Sequence, residues 1–137
     1  MVDPKSDEVA PATQQLLDRE IILEYLKEVE ELFKRGLKNA AFILLWVCVE
    51  ALLRHIASQE GLPLERVPSS ALLKELFSLG LLSRNGLDIA LRAFSVRNSL
   101  VHGFKSPGPE LEEIFGELTL LAQELLAEYD QARNRNT

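Results

Sequence analysis

The sequence predicts an all-α protein: an up-down four-helix bundle with an additional short helix in a crossover connection. Three observations carry this. Apolar residues recur every three or four positions in four long stretches. No stretch alternates apolar and polar residues with the period of a strand. The six prolines lie near the termini or at the junctions between periodic stretches.

Residues 1–13 carry two prolines, several charges and little periodicity, and are expected to form a flexible N-terminal tail. The helical bundle is expected over residues 14–132. Its first helix starts behind Thr13 as a cap, and Leu17, Ile21, Leu26, Val29, Leu32 and Phe33 form its apolar stripe. Glu20, Glu24, Glu28 and Glu31 interleave with Lys27, Lys34 and Arg35 on a solvated face. The second helix is expected over 38–59. It is apolar all round from Ala40 to Val49, which places it centrally, and the run is broken by Glu50. His55 reads as a packed or surface histidine. Gly61, Pro63 and Pro68 mark a loop, and Ser69 or Ser70 caps a short helix over about 71–79. Residues 83–86 read as a turn before a helix over about 86–102. Residues 106–109 break the chain again. The last helix buries Leu111, Ile114, Phe115, Leu118, Leu121, Leu125 and Tyr129, and residues 133–137 are expected to fray.

A chain of 137 residues is the size of one domain with one core. Its single cysteine, Cys48, excludes an internal disulfide, and no basic-then-apolar N-terminal segment suggests secretion. A reducing, cytoplasmic setting is expected. The longest apolar run, ten residues, is too short to span a membrane, so no membrane partner is expected. The net charge of −6 argues against a general nucleic-acid coat protein. Within residues 84–105, however, Arg84, Arg92, Arg97 and Lys105 face Asp88 alone, so a focused anion site is compatible with the overall acidity.

Several chemistries are absent as sequences. No glycine-rich run ends in Lys-Ser or Lys-Thr, no His-Glu-x-x-His occurs, and no serine nucleophile elbow is present. The two histidines and one cysteine lack zinc-site spacing, and no inward Glu-x-x-His pair suits a di-iron site. Neither a metal nor another cofactor is expected.

What remains is Arg97-Asn98-Ser99-Leu100-Val101-His102-Gly103. At about 100° per residue, Leu87, Ala90, Ala93, Phe94, Leu100 and Val101 share one apolar arc, with Arg97 inside it. Asn98 and His102, four apart, stack along its edge. A guanidinium on a core-facing arc is costly unless paired. Glu50 offers two readings: an intrahelical pair with Arg54, or a partner facing Arg97 across the bundle. Arg97 and His102 likewise admit a structural reading, the one bridging Glu50 and helix-end carbonyls, the other complementing the helix dipole.

The motif resembles that of the HEPN superfamily (higher eukaryotes and prokaryotes nucleotide-binding domain): an Arg, a polar residue, a short interval and a His, here Arg97, Asn98 and His102 followed by Gly103. The apolar helix with its embedded acid Glu50 and the all-helical layout are similar too. The resemblance implies a small helical bundle, commonly a homodimer. It also implies either a metal-independent endoribonuclease of a toxin–antitoxin or phage-defence system, or a catalytically inactive module that binds a nucleotide or a partner protein. An antitoxin or a nucleotidyltransferase is the kind of partner expected. The residues suit RNA cleavage. The RNA 2′-hydroxyl is the nucleophile, His102 can transfer the proton, Arg97 can hold the phosphate, and Asn98 can orient the imidazole or bind phosphate. One histidine per chain serves this chemistry better when a two-fold axis brings two motifs to one cleft.

Overall fold

The computed structural model describes residues 16–63, 67–105 and 108–135. Among the described residues every regular element is a helix: α1 (Arg19–Lys34), α2 (Lys38–Gln59), α3 (Ser69–Ser78), α4 (Arg84–Val101) and α5 (Gly108–Arg135). The all-α class is as expected, and α2 has the bounds its apolar run suggested.

α2 is the axis of the fold. Phe42, Leu45, Trp46, Val49, Leu52 and Leu53 are buried on it, and each of the other four helices packs against it. By length and composition alone α2 could cross a membrane, but most of it is buried by its neighbours. Its lack of a polar face therefore has a sufficient explanation in packing.

Pair contacts fix the helix directions. The Cys48 thiol points at the Ile22 carbonyl (3.9 Å), and His55 Nε2 donates to the Leu17 carbonyl (2.6 Å), so α1 runs antiparallel to α2. Lys38 pairs with Glu112, and Gln59 Nε2 donates to the Tyr129 carbonyl (3.2 Å), so α5 runs parallel to α2. Trp46 meets Phe94 at 5.6 Å between centroids, and Ile56 and Gln59 share a cavity with Leu81, so α4 runs antiparallel to α2. The C-terminal end of α4 therefore lies with the starts of α2 and α5.

Helix boundaries differ from expectation where a cap or a packing glycine decides. Asp18, not Thr13, caps α1: its Oδ1 accepts the Ile21 N–H at 3.0 Å, and Leu16 and Leu17 precede the helix. Thr13 itself lies outside the described residues. Ser83 caps α4 through the Gly86 N–H (2.9 Å), so residues 84–86 form its first turn instead of a separate one. Gly86 is buried there. A Cβ would lie 2.8 Å from Leu82 Cδ1, so the glycine serves close approach rather than chain reversal. α3 opens at Ser69 after Pro68 with no side-chain cap. Residues 133–135 remain helical, whereas fraying was expected from 133 onward; residues 1–13, 136 and 137 lie outside the described residues.

α1 packs closely on α2 alone. It reaches α5 only by side chains: Arg19 donates to Asp130 at 2.8 and 3.0 Å, and Phe33 stacks on Phe115 at 4.3 Å. The Arg19 guanidinium, donating its hydrogen bonds, holds the Asp130 carboxyl below its usual range. Between these bridges a cavity of about 330 Å³, floored by Leu45, separates α1 from α5.

Candidate functional site

α4 buries Ile89, Ala90, Ala93 and Val96, and half-buries Leu87, Phe94 and Leu100. The apolar arc thus extends to Ile89 and Val96 but stops short of Val101, which is 44% exposed. Arg97 is half-buried one turn beyond Phe94. Its Nη1 donates to Asn98 Oδ1 at 2.8 Å. Among the described residues no carboxylate lies within ion-pair distance of Arg97.

Glu50 is the residue the structure places elsewhere. It pairs with Arg54, one turn along α2, at 3.4 Å, and it accepts the hydroxyl of Ser69 at the start of α3. The reason is register. Trp46 faces Phe94 across antiparallel helices, so Glu50 lies level with Ala90, and Arg97 level with Ile43. Seven residues at about 1.5 Å each offset the two charges by about 10 Å along the axis. Of the four residues the sequence offered as a site, Arg97, Asn98 and His102 share the last turn of α4. Glu50 instead partners Arg54, which is 7% exposed and the one buried charged residue among those described.

His102 is the C-cap of α4 and is exposed. A glycine at positive φ (Gly103, +84°) ends the helix: the Gly103 N–H bonds to the Leu100 carbonyl (3.2 Å) and the Phe104 N–H to the Ser99 carbonyl (2.8 Å). With the His102 N–H on the Asn98 carbonyl (3.1 Å), the last turn has no loose amide, and the backbone under His102 and Phe104 is fixed. The imidazole makes no hydrogen bond among the described residues. Asn98 gives its carbonyl oxygen to Arg97, so it organises the guanidinium rather than the imidazole.

The positive charge expected along residues 84–105 is divided. Arg92 is neutralised by Glu117 of α5. Arg84 begins α4, thirteen residues and about 20 Å from Arg97. Arg97 and exposed Lys105 remain at the far end, beside His102.

His55 is held by the Leu17 carbonyl and packs on Tyr129 at 5.3 Å, as a structural histidine would. Among the described residues no three His, Cys, Asp or Glu side chains come together as a metal site. Two features escaped the sequence reading. Ser69 is a partner of Glu50, which only the α2–α3 packing discloses. Phe104 is 69% exposed directly after the glycine stop; an aromatic residue with no periodic partner was the signal available.

Compared with family models, curated proteins and solved structures, the chain finds no match.

Proposed function

We propose that this chain is a metal-independent endoribonuclease of HEPN type, working as a homodimer in a toxin–antitoxin or phage-defence setting. The observation that carries the reading is Arg97: a half-buried guanidinium on the last turn of α4, steadied by Asn98, with no carboxylate partner among the described residues. A guanidinium so placed suits a phosphate diester, which it can grip through two N–H donors. His102, at the same helix end and open to solvent, suits proton transfer.

The RNA 2′-oxygen attacks its own phosphorus, and the bond from phosphorus to the 5′-oxygen breaks. A histidine takes the 2′-hydroxyl proton, a histidine supplies a proton to the 5′-oxygen, and Arg97 balances the charge of the phosphorane. The products are a 2′,3′-cyclic phosphate and a 5′-hydroxyl. Two protomers sharing one cleft supply the two histidines. Exposed Leu37 and Val101, at the end of the fold that carries the motif, suit an apolar contact between copies. Four long helices alternating in direction, with α3 in the connection between α2 and α4, suit a four-helix bundle with a crossover helix of HEPN kind. A silent module that binds a nucleotide or a partner such as a nucleotidyltransferase antitoxin is the second reading. It is favoured by the absence, among the described residues, of a hydrogen bond that orients the imidazole.

The test is purified protein with mixed cellular RNA, with and without EDTA, and end-group analysis of the products. The wild type is expected to leave cyclic phosphates in both conditions, and His102→Ala to lose about 10²–10⁴ in rate. Arg97→Lys, which keeps the charge but loses the planar fork, is expected to impair cleavage. Cleavage that needs a metal, or that survives His102→Ala, overturns the mechanism. An inert wild type leaves the silent module as the reading.

A further inference from the structure

Large apolar side chains in this fold are mostly buried, and Phe104 is the most exposed exception among the described residues. A phenyl ring left in water at a mobile loop would carry little meaning. Here the backbone beneath it is pinned: its amide is bonded to the Ser99 carbonyl, one turn back on α4. The ring is therefore presented from a fixed base, two residues from His102 and next to Lys105. From Arg97 to Lys105 the chain holds two cations, one histidine and no acid, on a protein of net charge −6. The acids at this end of the fold include Glu31 near the end of α1 and Glu110, Glu112 and Glu113 in the first turns of α5, and Glu112 is neutralised by Lys38.

We infer that Phe104 is a stacking platform for a nucleobase of single-stranded RNA whose phosphate is held at Arg97 and His102. The inference rests on the ribonuclease reading and extends it to the substrate's conformation. A base can lie flat on a phenyl ring only when it is unstacked, so loops and single strands are selected over duplex. Cations interleaved with an exposed ring fit a polyanion carrying flat apolar faces, while the contact between copies is assigned to Leu37 and Val101. Stacking tolerates every base, so Phe104 contributes affinity and strand selectivity without strong sequence preference.

The experiment uses a 12-nucleotide 2′-O-methyl strand, which cannot be cleaved, and an abasic strand of the same length. The wild type is expected to bind the base-bearing strand more tightly. Phe104→Leu keeps an apolar side chain without the π face. It should weaken binding to the base-bearing strand by about tenfold or more, leave the abasic strand unaffected, and keep the wild-type sedimentation coefficient. Phe104→Trp should restore binding. Arg97→Gln should weaken both strands alike. If Phe104→Leu leaves base-bearing affinity intact while the wild type still cleaves RNA, this inference falls and the ribonuclease reading stands. If Phe104→Leu changes the sedimentation coefficient, the ring belongs to a protein interface and the inference also falls. A wild type that binds neither strand and cleaves no RNA removes both.

Discussion

Replacing Glu50 with Gln removes one charge from a pair whose other member is buried. Arg54 is 7% exposed; the Glu50 side chain is 27% exposed, and the two lie 3.4 Å apart. Opposite unit charges at about 4 Å attract by about 4 kcal/mol at the effective dielectric of a protein interior near its surface. Gln keeps the shape and an acceptor for both Arg54 and the Ser69 hydroxyl, so the hydrogen bonds survive and the charge attraction is lost. Partial exposure of the carboxylate screens part of that attraction, and about 2 kcal/mol of net destabilisation is expected. For a chain of this length that corresponds to a fall in Tm of about 6–9 °C. Urea and thermal melts followed by far-ultraviolet circular dichroism measure it. A double-mutant cycle with Arg54→Gln should return a coupling of at least about 1 kcal/mol. Glu50→Gln melting within experimental error of the wild type, or a cycle with no coupling, refutes the argument. In that case Arg54 is neutralised by its other contacts.

Other consequences can be measured as directly. Burial, reinforced by Glu28, pushes the Cys48 thiol up to about 12, while an unfolded thiol ionises near pH 8.5. The native state then holds a proton that the unfolded state loses. Stability should be unaffected by this thiol below about pH 8.5 and fall by up to about 1.4 kcal/mol per pH unit toward pH 12, a slope absent from Cys48→Ala. Gly103→Ala meets no atom within 4 Å but forces an L residue to φ +84°. It should cost about 1–2 kcal/mol in chemical denaturation, and it should impair RNA binding more than stability because the turn that fixes Phe104 loosens. Unchanged stability in Gly103→Ala would show that the α4 end is not held as described.

The sequence disclosed most where a single physical cause dominates. A helix apolar on every side has to be central, and α2 begins and ends where its composition changes. The Arg97–Asn98–His102 cluster was legible because helical spacing alone gathers residues within one turn. Glu50 was ambiguous for the opposite reason. Helical spacing puts it beside Arg54, but its relation to Arg97 depends on the axial register of α2 against α4, set by the Trp46–Phe94 contact. Gly86 misled because a glycine reads as chain reversal until the neighbour that needs the space, Leu82, is seen. Thr13 reads as the cap because the apolar stripe is counted from Leu17, which in fact lies before the helix.

The one-sided attachment of α1 has a kinetic meaning. Its close packing is against α2 alone, and among the described residues an ion pair and one ring stack tie it to α5. Such an element is suited to swing away while α2, α4 and α5 stay assembled, in an opening smaller than global unfolding. The thiol of Cys48 sits under the Ile22 carbonyl on that very seam. Slow trapping of the thiol by an excess of alkylating reagent would then count detachments of α1, and its rate would respond to Asp130→Asn far more than to a cavity cut between α4 and α5.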